Sequence, residues 1–469
     1  MAKKSDNAQP ARISYVFDKG YRDLGNTIKE AWAMNVEDGK NQFGMVGAGG
    51  GSFIVGIHII AGICIFVFGS IITAITTVLH IYILGVILFV IYVLFGITWL
   101  IDRIYIAANR IKNACPNPNC QREFLIPAYE CPNCGRIHTK LVPGRYGIWH
   151  RTCLCGYKLP TTFLNGRNKL QAYCPHCGGT LEGDTASQQY AIPVIGGPSV
   201  GKTCILNMAV RSLINDYAPE HSWDINFSSP ADEAKYAATV SSFDNGIRPM
   251  KTDQDALTAY QLGLHIPGEK VGKRLYVYDI SGEMFANSGD IQRNEAYKYC
   301  DGFVFVIDPL TLANYAGEMV DRINIDSYGA SEEDFNDILN IMLINLEKMF
   351  NLSPKDVLKK NLAVVINKCD IPGLNEQIGD GAAQEYLSSH SECKNLLSAK
   401  NALCEQFLEQ YGAGNFVRTA QSKFKNVQYF TCSALGHNRE GVAFNSVDVL
   451  DPFLWILSMV NTEFAHAID

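Results

Sequence analysis

Between Asn41 and Ile101 the chain carries no Asp, Glu, Lys or Arg. A charge-free run of that length is not a solvated loop, and it has none of the polar face that a helix packed in a soluble core keeps. At about 20 residues per crossing, Phe53 to Ile101 predicts two transmembrane helices, near Phe53–Ile75 and Leu79–Ile101, turning at Thr76, Thr77 and His80. Ahead of them, Tyr21, Leu24, Ile28, Ala31 and Trp32 recur at helical spacing. They predict a short helix, either lying in the membrane interface or solvated. Gly47 and Gly49–Gly51 then form a flexible joint. Further on the pattern changes to short apolar runs, each ending in polar residues. Residues 190–195, 274–279, 302–308, 362–366 and 427–433 predict strands, and Ile205, Met208, Ala209 and Leu213 repeat as a helix after the first of them. Such alternation predicts a mostly parallel sheet with helices on both faces. Val447 to Leu457 predicts a closing amphipathic helix.

Charge divides the chain further. Residues 1–50 net +1, residues 102–189 net +6, and the remainder −14 of an overall −7. A basic middle and an acidic end are different surfaces with different partners. The modules expected are a cytoplasmic segment at 1–50, membrane helices at 51–104, a cysteine module at 113–182 and a nucleotide domain at 188–469. Lys40 ahead of the apolar run and Arg103, Arg110 and Lys112 behind it place both flanks in the cytoplasm by the positive-inside bias. No cleavable signal peptide pattern opens the chain.

Eight of the 15 cysteines fall between Cys115 and Cys177. They read Cys115-x4-Cys120, Cys131-x2-Cys134, Cys153-x-Cys155 and Cys174-x2-Cys177. Gly135, Gly156 and Gly178 follow three of these knuckles, where the backbone must turn its amides toward sulfur. Four thiolates satisfy tetrahedral zinc, so eight ligands predict two closed structural Zn2+ sites with no open position for catalysis. The sequential grouping (115, 120, 131, 134, then 153, 155, 174, 177) is the first expectation and an interleaved grouping the second. The seven scattered cysteines fit a reducing compartment and not a disulfide scaffold. The module's charge suits anionic lipid headgroups beside the membrane helices better than nucleic acid.

The nucleotide motifs sit at the ends of the predicted strands. The first runs into Gly196-Gly197-Pro198-Ser199-Val200-Gly201-Lys202-Thr203-Cys204, the pattern GxxxxGK[ST] at a strand–helix junction. Its glycines let backbone amides wrap phosphate, Lys202 reaches the β/γ-oxygens, and the Thr203 hydroxyl can bind Mg2+. Asp279 and Gly282 end the second strand as Asp-x-x-Gly, a magnesium-side carboxylate and a γ-phosphate amide. Asn367-Lys368-Cys369-Asp370 ends the fourth. The Asp370 carboxylate matches guanine N1–H and the exocyclic amine, donors that adenine lacks. Ser433-Ala434 ends the last strand, where backbone can meet the guanine carbonyl.

Four ordered motifs of this kind resemble the Ras-like P-loop GTPases over about residues 188–469. More narrowly, the chain resembles the bacterial double-GTPases linked to conflict and defence systems, with membrane tethers or zinc ribbons attached. The resemblance implies GTP/GDP as ligand with Mg2+, and GTP hydrolysis. Glu283 stands where Ras-like enzymes carry the water-positioning Gln; a carboxylate there repels the γ-phosphate, so hydrolysis is expected to be slow. The span from Lys202 to Asp279 is about twice that of a minimal domain. Its magnesium-binding threonine is either Thr252, with Arg248 or Lys251 as charge neutralisers, or Thr258. The acidic segment from Ala316 to Phe350 (Glu332, Glu333, Asp334, Asp337) reads as an interaction surface. The leading expectation is a membrane-anchored GTPase switch that recruits a protein partner through the switch region or this acidic segment. The alternatives are a non-hydrolysing GTP-binding zinc scaffold and a GTP-gated effector that perturbs the membrane.

Overall fold

The computed structural model describes residues 9–47, 51–117, 120, 122–248, 258–269, 271–279, 299–331, 333–353, 358–461 and 464. The chain divides into two compact units. One comprises Met1–Ala108 with Ile126–Pro175, the other Asn109–Leu125 with His176–Asp469.

In the first unit, α1 (Lys19–Met45) precedes α2 (Ser52–Cys64), a single π-turn segment (Ile65–Gly69) and α3 (Ser70–Ala108). The last three form one unbroken helix of 57 residues, long and apolar enough to cross a membrane. This corrects the expected turn at Thr76–His80, because nothing there breaks a helix. The hydroxyls of Thr76 and Thr77 donate back to the carbonyls of Ile72 (2.9 Å) and Thr73 (2.7 Å), which satisfies them inside the helix. The chain instead doubles back between α1 and α2. Phe43 and Phe66 stack with ring centroids 5.8 Å apart, and Gln42 meets His58 Nδ1 at 2.9 Å. Two glycines allow the approach: a Cβ on Gly39 would fall 2.6 Å from the Phe66 ring, and one on Gly62 2.8 Å from the Phe43 ring. Further along, Phe17 meets Tyr92 edge to face. The helix expected around Tyr21–Trp32 thus lies along the apolar helix.

The carboxyl-terminal end of α3 carries a buried stripe, Thr98, Asp102 and Ile106, spaced one turn apart. Asp102 accepts from the Phe163 amide (3.0 Å) and pairs with Arg167 at 3.2 Å. Arg167 is fully buried, and its other nitrogen donates to the carbonyls of Leu141 (2.8 Å) and Thr161 (2.6 Å). The small hairpins β3 (Ala128–Glu130) with β4 (Ile137–His138), and β5 (His150–Thr152) with β6 (Lys158–Pro160), belong to this unit. Residues 10–12 lie alongside β5: Arg12 N donates to Thr152 O and Leu154 N to Pro10 O. Residues 10–12 are thereby part of the same fold as the β5–β6 hairpin.

The second unit is a seven-stranded sheet in the order β10-β11-β12-β9-β13-β14-β15. Its strands are β9 (Gln188–Ile195), β10 (Asp224–Phe227), β11 (Thr258–His265), β12 (Lys273–Asp279), β13 (Gly302–Ile307), β14 (Leu358–Ile366) and β15 (Phe424–Thr431). From β12 to β15 all neighbours are parallel; β10–β11 and β11–β12 are antiparallel. Alternate residues of each central strand enter opposite cores. Phe303, Phe305 and Ile307 of β13 pack under the helix Phe335–Phe350 and the helices Leu396–Gln410 and Gly414–Lys423. Val304 and Val306 pack under α4 (Lys202–Ser212) and the helix Asp451–Val460. Burial on both faces explains the near-continuous apolar runs. β10 and β11 were not expected; they fill part of the long interval between Lys202 and Asp279. The hairpin of β1 (Asn113–Ala114) and β2 (Glu123–Phe124) is fastened to this sheet. Ala114 N donates to Gln189 Oε1 (2.9 Å) and Arg274 donates to Asn113 Oδ1 (2.6 Å).

Candidate nucleotide and metal sites

The functional motifs of the second unit gather at the carboxyl ends of β9, β12, β13, β14 and β15, the edge where parallel α/β sheets hold ligands. After β9 the backbone enters left-handed geometry at Ser199 (φ 61°) and Gly201 (φ 95°), then starts α4 at Lys202. Close approach makes Gly201 obligatory: a Cβ there would fall 2.4 Å from Asn367 Nδ2. Val200 O accepts from that same amide at 2.8 Å. Lys202 is buried and its Nζ donates to the carbonyls of Gly196 (2.9 Å) and Gly197 (2.6 Å), holding the loop closed around the position a phosphate takes. Cys204 follows on α4; burial pushes its thiol up to about 12, so it offers its backbone and not a thiolate.

Thr203 Oγ1 donates to Asp279 Oδ2. Burial raises the Asp279 carboxyl above its ordinary value, and Lys202 and the Thr203 hydroxyl only partly oppose this. A desolvated carboxylate beside a hydroxyl is a donor set that fits Mg2+, which would satisfy the charge that burial strands there. Thr258 opens β11 directly opposite Asp279 in the strand register. Thr252, Lys251, Gly282, Glu283 and Glu332 lie outside the described residues. Arg248 lies within them, donating to Ser327 O (2.9 Å) and to Asn438 Oδ1.

On the base side, Asn367 ties three loops. Its Nδ2 reaches Val200, its Oδ1 accepts from Ala434 N at 3.1 Å, and its own amide donates to Ile307 O at 3.0 Å. Ser433 Oγ donates to Asp370 Oδ1 at 2.6 Å and accepts from Gly436 N at 2.8 Å. The carboxylate is therefore oriented before any base arrives. Lys368, left-handed at φ 61°, pairs with Asp308 at 2.6 Å and also donates to the carbonyls of Tyr328 and Gly329. Sequence reasoning passed over Asp308, Tyr328 and Gly329 as site residues. The signal available was the place of Asp308, one residue past β13 at the ligand edge of the sheet. The acidic segment is also more than surface. Asp334 caps the helix Phe335–Phe350 by accepting from Asn336 N (2.8 Å), Asp337 lies in its first turn, and the helix buries Phe335, Ile338, Leu339 and Met342. Acids at a helix N-terminus complement its dipole.

The cysteines form two sets of four, each with sulfurs within 4.8 Å of one another. One is Cys131, Cys134, Cys153 and Cys155; the other is Cys115, Cys120, Cys174 and Cys177. This corrects the sequential grouping: the two inner knuckles share one set and the outer knuckles the other. The reason is non-local. Cys131 and Cys134 cap the β3–β4 hairpin and Cys153 and Cys155 sit beside the β5–β6 hairpin, bringing Cys131 and Cys155 sulfurs to 3.7 Å and Cys134 and Cys153 to 3.6 Å. Four convergent sulfurs fit tetrahedral Zn2+. A hydrogen bond from the Asn133 side chain holds the Cys155 thiol down to about 6, whereas burial pushes Cys131 up to about 12 and raises Cys153, so the set is not uniformly poised as thiolates.

Residues 196–204, the Asp279 carboxylate and residues 367–370, gathered at one edge of a parallel sheet, are the arrangement of a P-loop GTPase. Residues 190–440 match the family model Double-GTPase 2, and the chain belongs to that family. A search of curated proteins found none that matches. Family membership carries guanine-nucleotide binding and GTP hydrolysis in general terms.

Proposed function

We propose that this protein is a membrane-anchored guanine-nucleotide switch that hydrolyses GTP slowly and recruits a protein partner. The observation that carries the guanine assignment is the Ser433–Asp370 hydrogen bond, which orients a carboxylate toward the nucleotide edge of the sheet. Gly196 to Cys204 would hold the phosphates, with Thr203, Asp279 and a switch threonine, Thr252 or Thr258, holding Mg2+. When bound, that ion neutralises phosphate charge. Slow turnover rests on Glu283 in place of a water-positioning amide. The two cysteine sets would hold two structural Zn2+ ions. The recruiting surface is the switch region or the acidic segment from Ala316 to Phe350, and the biological setting, on family resemblance alone, is bacterial conflict or defence.

Anchoring rests on the apolar helix Ser52–Ala108, whose most apolar window has no buried residue. One apolar helix would by itself part its two flanks. However, α1 runs back along it, from Phe43 beside Phe66 to Phe17 beside Tyr92, and residues 10–12 lie beside β5. This supports an N-terminal segment and a cysteine module on one side, the cytoplasmic one, where GTP is present. GTP turnover by the full chain in lipid vesicles tests the catalytic reading. A slow, Mg2+-dependent turnover abolished by Lys202→Ala is expected; turnover unaffected by that substitution would refute it. Impermeant thiol labels introduced at Arg12 and at Lys158 should report the same sidedness, and opposite sidedness would refute the topology.

A further inference from the structure

Asp308 is fully buried just past β13, and each of its oxygens is committed. Oδ1 accepts from the Leu310 amide at 3.0 Å; Oδ2 accepts from the Ser331 amide at 3.1 Å and from Lys368 Nζ at 2.6 Å. The same ammonium donates to the carbonyls of Tyr328 and Gly329, both at 3.0 Å. An ammonium has three donors, and those three partners account for them. All three lie at the end of β13 or in the turn Ile325–Tyr328 and the glycine after it, which takes φ 57°.

The Leu310 and Ser331 amides bond to different oxygens of Asp308, so both positions must accept; an asparagine would supply one acceptor and turn a donor toward the other amide. The opposite full charge that answers the carboxylate at 308 is that of Lys368. A buried carboxylate without a partner is costly, so its presence here answers to that lysine. Lysine is otherwise a flexible four-carbon stem with a strongly hydrated head, poorly suited to hold one place beside a base.

We propose that Asp308, with the turn carrying Tyr328 and Gly329, is the positioning element of the guanine-reading loop, fixing Lys368 where the base and ribose bind. This rests on the guanine-nucleotide reading above and deepens it. Asp308 touches no nucleotide itself; it acts through Lys368. The turn belongs to the acidic segment, so anything that displaces that segment would loosen nucleotide through the lysine and leave the phosphate loop as it is.

The test is a double-mutant cycle on the full chain, reading the affinity for a fluorescent GDP analogue and, by competition, for pyrophosphate. Asp308→Asn should weaken GDP about tenfold, the worth of one charge-assisted bond, with pyrophosphate affinity unchanged. Lys368→Met should weaken GDP at least as much, and Asp308→Asn with Lys368→Met no more than Lys368→Met alone. The double variant carries no unpaired buried charge, and the one backbone amide that asparagine leaves without an acceptor is common to both Asp308→Asn variants, so it cancels between them while pyrophosphate reports any general damage. Additive losses would overturn the proposal, because Asp308 would then act independently of Lys368. A parallel fall in pyrophosphate affinity would overturn it too, marking damage to the phosphate loop. A parent chain that binds no GDP would overturn the functional reading, and this inference with it, before any variant is made.

Discussion

Replacing Asp370 by Asn isolates the group that reads the base. In the folded chain Ser433 Oγ donates to Asp370 Oδ1 at 2.6 Å, and Gly436 N in turn fixes that hydroxyl at 2.8 Å. Asparagine keeps the shape and can keep its oxygen on Ser433. It then presents an NH2 where the carboxylate offered a second acceptor. Guanine brings two donors, N1–H and the exocyclic amine, and one of them now faces a donor. Losing one charge-assisted bond and stranding one polar group costs about 3 kcal/mol, or roughly 150-fold in affinity. Xanthine carries a carbonyl in place of the amine, so the new amide can donate to it and XDP should gain on GDP. Equilibrium titration with fluorescent GDP, competed by XDP, ADP and pyrophosphate, measures each part. Pyrophosphate should be unaffected, since Asp370 does not face phosphate. A variant that binds GDP within a factor of a few of the parent, or a parent that binds ATP as tightly as GTP, would refute the assignment.

Metal content distinguishes the two groupings of cysteines: with Cys120→Ser and Cys131→Ser combined, the observed sets predict loss of both zinc ions, whereas the sequential grouping predicts loss of one, read by elemental analysis. Asp102→Ala leaves the fully buried Arg167 without its carboxylate and should destabilise the first unit by about 3–5 kcal/mol, seen as earlier protease cleavage around Phe163–Arg167. Burial pushes the Asp301 carboxyl up to about 6, against the opposing hydrogen bond from Ala191 N. Its folded value lies above its unfolded one, so its contribution to stability is complete below about pH 4 and is lost as pH rises through 6. Asp301→Asn retains an acceptor for Ala191 and should therefore melt higher than the parent at pH 8, by up to about 3 kcal/mol, with no difference near pH 4. A pH-independent difference would count against burial as the cause.

What was readable along the chain was local. The phosphate loop, Asp279, the residues 367–370 and Ser433-Ala434 each follow an apolar run, and alternation into two cores makes those runs conspicuous. The paired knuckles were equally plain, since each is a few residues long. Their grouping was not, because it depends on which hairpins lie beside one another. β10 and β11 escaped because Asp224–Phe227 and Thr258–His265 mix Asp, Asn, Gln and Gly among their apolar residues and sit toward the sheet's edge. The turn expected at Thr76–His80 failed for a different reason. Threonine next to carbonyls of its own helix is a satisfied residue, so polarity without Gly or Pro is weak evidence of a break. Asp308 was visible as the polar residue that closes an apolar run, but its three donors come from 2, 23 and 60 residues away, and only folding collects them.

The sheet's outer strand has a consequence for how anything docks to this domain. β10 pairs with β11 over four positions, from Asp224 opposite His265 to Phe227 opposite Leu262. An unpaired strand margin is a template on which foreign backbone can add, and short strands and charged residues are the usual means of blunting it. Here the added strand is only four residues long and begins with an exposed Asp224. It covers Leu262 to His265, half of the margin that β11 would otherwise offer, and it presents few amides and carbonyls of its own. On β10 itself, then, specificity is carried by side chains more than by a continued ladder.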